Sequence, residues 1–310
     1  MHVLFIFLDG VGLGVDDPSI NPLASNALPF IHALLGGRNL LAATAPYVGP
    51  QASLLALDAC MGVAGLPQSA TGQAALLTGL NVPALIGYHY GPKPNADVAS
   101  FLLNGNLFSQ LVKGNRQSAL LNAYPPRYFD SIQSGRRMFS AIPLAATRAG
   151  LSLKTKEDLF ARQALSADFT GLGWRQQLGM PDAPLLTPVE AGRSLAELAR
   201  QTDFSFFEYW ASDYAGHHQD FKAAIDLLSS LDQVLQGLVD AWAGEDGIIL
   251  ITSDHGNLED LSTRRHTLNP VPLLLIGPKA LRQSFAASIH DLTGLTPAVL
   301  DLLPAVRNPR

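Results

Sequence analysis

Cysteine, charge and long apolar runs are all scarce in this sequence. The single cysteine, Cys60, excludes an intrachain disulfide and a cysteine-based zinc site. In LLALDACMG it reads as a small buried apolar residue. Charged residues make up 15% of the chain and apolar residues 47%, which excludes a disordered or low-complexity protein and supplies a sizeable core. No stretch approaches the roughly 18 uninterrupted apolar residues of a membrane span. The apolar run at residues 3–8 is too short for the h-region of a signal peptide and lacks a basic n-region and a cleavage site. A soluble cytoplasmic protein is expected, with no membrane or nucleic-acid partner. Oligomeric state is not legible.

At 310 residues the chain exceeds a typical single domain, so one large domain or a core with a smaller partner is expected. Its net charge of −5 is unevenly spread. Residues 92–180 carry eleven Lys/Arg against five Asp/Glu, and the remainder ten against twenty-one. Four runs read as strands: HVLFIFL, FSFFEYW (204–210), GIILITS (247–253) and VPLLLIG (271–277). They are continuously apolar rather than alternating, as strands buried on both faces should be. Helical patterns lie between them, at PVEAGRSLAELARQT, at 220–243 and at TGLTPAVLDLLP. The fold class expected is therefore α/β, with a doubly wound, mostly parallel sheet. Residues 1–87 and 185–310 form this core. The basic stretch 88–184, rich in Gly, Pro and Asn, reads as an inserted cap.

In open α/β sheets ligands bind beyond the carboxyl ends of the strands. Asp9 follows the first strand, Asp213 and His217 the second, and Asp254 with His255 the third. His266 stands in RRHTLNPVP, just before the fourth. Each has a plain alternative. Asp9 and Asp254–His255 suit turns, Asp213 and His217 suit a surface pair on a helix, and His266 suits a solvated basic loop. Jointly they converge on one edge as a set of carboxylates and imidazoles able to hold two metal ions. In LPQSATGQAALLTG, Ser69 and Thr71 sit where a loop enters a helical pattern. A hydroxyl there meets free backbone N–H groups and suits attack on a phosphate, although plain N-capping is the commoner use. The glycines of FLDGVGLG do not make a dinucleotide fingerprint, since they are spaced G-x-G-x-G and the acid precedes them.

FLDGVGLG, GLPQSATGQ, SDYAGHHQDF, ITSDHGNLED and RHTLNPVPLL together resemble the alkaline phosphatase superfamily, in its branch of cofactor-independent phosphoglycerate mutases and phosphopentomutases. The resemblance covers about 1–87 and 188–305 and fades between them. It implies that Asp9, Ser69, Asp254 and His255 hold one divalent ion and Asp213, His217 and His266 a second, manganese or zinc. It also implies that Ser69 is the nucleophile, with Thr71 the runner-up, and that Asn257 is an orienting group. The enzyme so implied transfers phosphate from a small anionic phosphorylated metabolite through a phosphoserine, as a phosphatase or a phosphomutase. The mutases carry His where this chain has Gln73. Gln73, Lys93, Arg127, Arg136 and Arg137 are candidate substrate contacts. The competing readings are a metal- or ligand-binding protein without catalysis, and a phosphodiesterase- or sulfatase-type hydrolase.

Overall fold

The computed structural model describes residues 1–306; residues 307–310, expected as the end of the core, lie outside the described residues. Seven strands form one sheet: β1 His2–Leu8, β2 Tyr47–Val48, β3 Ala52–Leu57, β4 Ser118–Leu120, β5 Phe204–Tyr209, β6 Gly247–Thr252 and β7 Val271–Ile276. Their order across the sheet is β2-β3-β7-β6-β1-β5-β4. The four expected strands are β1, β5, β6 and β7, and every residue in them except His2 is buried. That is why their sequences are continuously apolar.

One face packs Phe5, Phe206, Leu250 and Leu273 against the helices Ser69–Thr78, Ala96–Asn104, Leu107–Lys113, Ala141–Arg148 and Leu295–Leu302. The other packs Leu4, Phe207, Ile249 and Leu274 against Pro188–Ala199 and Phe221–Trp242. Helices therefore cover both sides, as expected. The helix Pro188–Ala199 starts on a capping box, in which Thr187 and Glu190 satisfy each other's backbone N–H groups. Asp220 caps Phe221–Trp242.

β4, β5, β1 and β6 run parallel, whereas β7 is antiparallel to β6, β3 to β7 and β2 to β3. The sheet is mixed, with β7 and β2 running against the other five strands. β6 passes to β7 through a loop, residues 253–270, without the crossover helix that parallel neighbours need. β7 thus begins at the edge where β6 ends.

The stretch 88–184, expected as a cap, divides in two. Strand β4 extends the sheet beside β5, and the helices at 96–104, 107–113 and 141–148 pack on the core face. Only Ala123, Leu159, Ala164, Trp174 and Ala183 gather into a small cluster of their own. Cys60 is half-buried rather than buried.

Candidate metal centre

The chain turns at Asp9, whose N–H donates to the Tyr209 carbonyl at 2.9 Å and ends the β1–β5 ladder. Gly10 follows with φ +68°, a left-handed conformation that L side chains avoid. Its missing side chain also leaves room for the Asp213 carboxylate. Gly12 is bare for a different reason: a Cβ there would collide with the carboxylate of Glu259.

Glu259 is fully buried and ties the loop after β1 to both ends of the loop between β6 and β7. It accepts the N–H of Gly12 at 2.8 Å, the N–H of Asn257 at 2.8 Å, the Asn269 side-chain amide at 3.1 Å and the Thr267 hydroxyl. Sequence reasoning missed this residue. Its signal was an acid in an otherwise apolar and turn-forming context, GNLED, which a surface position explains equally well.

Asp254 and His255 follow β6 and are fully buried. Ser253 fixes this turn, accepting the Val11 N–H at 2.9 Å and donating to the His255 carbonyl at 3.0 Å. Asp213 and His217 sit one turn apart on the helix Ala211–His218, with His217 Nε2 3.4 Å from Asp213 Oδ2. His266 closes the group, its Nε2 lying 3.3 Å from His217 Nε2 and 3.8 Å from Asp213 Oδ1. His255 Nε2 is 3.5 Å from Asp9 Oδ1 and 3.7 Å from Asp254 Oδ2. The His255 and His266 rings stack at 3.7 Å. All six metal-ligand candidates other than Ser69 thus meet at one edge of the sheet.

Ser69 joins them. It is the first residue of the helix Ser69–Thr78, and its hydroxyl lies 3.0 Å from His255 Nε2. Thr71, the runner-up, does not: its hydroxyl is engaged with the Gln68 carbonyl at 3.2 Å and with the N–H and carbonyl of Tyr90. Gln73, expected to touch substrate, is instead buried and donates to Asp254 Oδ2 at 3.0 Å. Asn257 donates to Asp213 Oδ1 at 2.8 Å. Among the described residues the expected cations form no ion pair with the acids of the cluster. Arg127, Arg136 and Arg137 are exposed and Lys93 half-buried. Arg136 donates to Ser134, and the Arg137 guanidinium lies 4.8 Å above the Tyr128 ring.

Two further groups border the cluster on the β5 side. Glu208 pairs in register with Phe7, so its side chain lies on the same sheet face as Asp9, one strand away. It accepts the Tyr124 hydroxyl at 2.5 Å, and burial raises its carboxyl to about 7.

The donor set fits divalent cations. Asp9 Oδ1 and Asp254 Oδ1 are buried without a hydrogen-bond partner among the described residues. Burial, reinforced by Asp254, Asp213 and Glu208, pushes Asp9 well above the usual carboxylate range, and burial raises Asp254 to about 7. Such groups are electrostatically incomplete without a positive charge. The imidazoles are prepared in the opposite sense. His217 Nδ1 donates to the Arg264 carbonyl and His266 Nδ1 to the Pro67 carbonyl, both at 2.7 Å. Each therefore turns an unprotonated Nε2 into the cluster, as metal-binding histidines do. Burial lowers His255 and His266, which keeps them in the neutral form a cation requires. Two overlapping triads come within bonding range of a single ion: Asp213, His217 and His266, and Asp9, Asp213 and His255. Mixed oxygen and nitrogen donors suit manganese or zinc better than calcium or magnesium.

A family model described as the metalloenzyme superfamily matches residues 187–305. The 2,3-bisphosphoglycerate-independent phosphoglycerate mutase of Desulforudis audaxviator (strain MP104C) is 34% identical over 113 residues, 34% of this chain and 22% of that protein. The enzyme of the same name from Antithamnion sp. is 28% identical over 128 residues, 39% of this chain and 25% of its own. The match therefore spans a quarter or less of these relatives. Among solved structures, the PH0037 protein of Pyrococcus horikoshii superimposes with a TM-score of 0.55 at 15% identity, over 100% of this chain and 98% of that one. The alkaline phosphatase of the Antarctic bacterium TAB5 does so with a TM-score of 0.52 at 11% identity, over 99% and 98%. At such identities the likeness is one of fold.

Proposed function

We infer that this chain, which has the alkaline phosphatase-like fold and over residues 187–305 the sequence of the metalloenzyme superfamily, is a phosphotransfer enzyme that uses two divalent metal ions, manganese or zinc. The observation that carries the reading is the Ser69 hydroxyl, at a helix N-terminus, 3.0 Å from His255 inside a cluster of acids and imidazoles. A protein that only bound metal would have no use for a hydroxyl there.

Asp9, Ser69, Asp254 and His255 would hold one ion and Asp213, His217 and His266 the other, with Asp213 within reach of both. When bound, the ions lower the pKa of a coordinated hydroxyl and neutralise charge on the phosphoryl oxygens. The protein's share is positioning. The Ser69 and Ala70 N–H groups, at the N-terminus of the Ser69–Thr78 helix, are available to a phosphate; Ser69 Oγ would release its proton to solvent and form the new bond to phosphorus while the bond to the leaving oxygen breaks and that oxygen takes a proton from water. Gln73 and Asn257 hold Asp254 and Asp213 in place. The phosphoserine then passes its phosphoryl group to an acceptor. We favour water, and hence a phosphatase acting on a small anionic phosphoester. The His217 side chain is 41% exposed, and a mutase must keep water from its phosphoenzyme.

The test is incubation of the protein with manganese or zinc and a panel of sugar phosphates, phosphoglycerates and nucleotides. Free phosphate, isomerised product and phosphoserine on Ser69 are scored separately. Phosphate release with a trappable phosphoserine, both abolished in Ser69→Ala, is the expected result. Turnover unchanged in Ser69→Ala, or no turnover of any phosphoester, overturns the reading.

A further inference from the structure

The helix Ala211–His218 presents two stripes side by side. Asp213 and His217 face the metal cluster. One residue on from each, Tyr214 and His218 form a second stripe that begins at Trp210, the residue capping the helix. These side chains are aromatic and exposed. Trp210 is 52% and Tyr214 62% exposed, and the Tyr214 and His218 rings pack with centroids 4.0 Å apart, tilted by 32°. Leu268, two residues beyond His266, is 64% exposed. The chain's other two tryptophans, Trp174 and Trp242, are buried. Trp210 directly follows β5 and caps the helix that carries Asp213 and His217.

An exposed tryptophan on the element that carries two of the metal ligands is a poor neighbour for a substrate that is all charge. Flat aromatic faces bind planar rings, by stacking and by release of water from both. We propose that Trp210 and Tyr214 are the leaving-group platform of this site, so that its substrates are phosphoesters bearing a planar aromatic ring. The proposal rests on the phosphotransfer reading above and narrows its substrate class. The phosphate lies at Ser69, and the ring leans on the Trp210–Tyr214 stripe. Specificity then comes from the ring and not from a second anionic group.

The zinc-loaded protein is titrated by calorimetry with phenylphosphonate and with methylphosphonate. Neither can be hydrolysed, and both share the same anionic head. The fluorescence of Trp210, the only exposed tryptophan among the described residues, is followed in parallel. Phenylphosphonate is expected to bind about tenfold or more tightly than methylphosphonate and to quench Trp210. Trp210→Ala and Tyr214→Ala should each reduce that preference, while Trp210→Phe retains most of it. Because both side chains are largely exposed, these variants keep the fold, which a thermal melt verifies. Equal affinity for the two phosphonates overturns the platform and leaves the phosphotransfer reading standing. A preference for phenylphosphonate that survives in both alanine variants overturns it as well. Binding of neither phosphonate overturns the phosphotransfer reading and the platform with it. A concentration-dependent dimer abolished by Trp210→Ala identifies the stripe as a contact between copies of the chain, which also overturns it.

Discussion

Glu259→Ala tests the framework of the site most directly. The Glu259 carboxylate is the shared acceptor of the loop that carries Asp9 and of both ends of the loop that carries His255 and His266. Truncation leaves the N–H groups of Gly12 and Asn257, the Thr267 hydroxyl and the Asn269 amide facing a small void. An orphaned buried donor costs about 1–3 kcal/mol. Water entering the void and loop relaxation recover part of the sum, so the net loss should be about 3–6 kcal/mol, a large share of the roughly 5–15 kcal/mol that holds a domain folded. Glu259→Gln keeps the volume and one acceptor, and the Thr267 hydroxyl can turn to accept, so about 1–2 kcal/mol is expected. The assay is equilibrium urea unfolding of the metal-free protein, with the m-value unchanged between variants. Metal titration of the folded variants should show the same order, because loops no longer tied to one another hold their ligands less closely. A loss below about 1 kcal/mol in Glu259→Ala, or manganese affinity equal to that of the parent, would refute the clamp.

Gly12→Ala should act on the same element from the other side, pushing a methyl group into the Glu259 carboxylate at a cost of about 1–3 kcal/mol, read by the same unfolding curve. Glu208→Gln separates charge from shape. The folded protein holds this carboxyl at about 7 against an unfolded value of 4.5, so its contribution is full below pH 4.5 and is lost as pH rises through about 7. The parent should lose up to about 3 kcal/mol across that window relative to the variant, and parallel stability curves would contradict the assignment. Chelation gives a fourth check. Saturating zinc or manganese at about one hundred times its dissociation constant should raise stability by about 2.7 kcal/mol per independent site, and Asp213→Asn, which touches both triads, should abolish most of that gain.

Residues that carry their own chemistry were legible in the sequence, and residues that act through packing were not. Asp9, Asp213, His217, Asp254, His255 and His266 are strand-end acids and imidazoles, types that stand out against an apolar background, and the fold gathers all of them. Glu259 and Glu208 are the same chemical type, yet their roles depend on what lies across the sheet edge, and no local pattern encodes that. Thr71 shows the converse. Its position matched a nucleophile, but its hydroxyl is spent on the Tyr90 backbone, a contact 19 residues away. Strands β2, β3 and β4 escaped for a simpler reason: β2 and β4 are two and three residues long, and β3 reads as a helix or a strand by periodicity alone.

His266 shows why strand direction matters more to this site than strand content. Every other ligand on a strand-derived loop follows its strand, whereas His266 precedes β7. In a fully parallel sheet, the start of that strand would lie at the opposite edge, a strand length of about 17–20 Å from the carboxylates. The antiparallel return of β7 against β6 reverses this and brings the beginning of one strand beside the end of the other. A single loop, residues 253–270, can then supply Asp254 and His255 from its first turn and His266 from near its end. Glu259, between them, draws the two ends of the loop together by bonding Asn257, Thr267 and Asn269. The antiparallel direction of β7 is therefore a condition for the cluster, since with β7 parallel to β6 the same ligands would not meet.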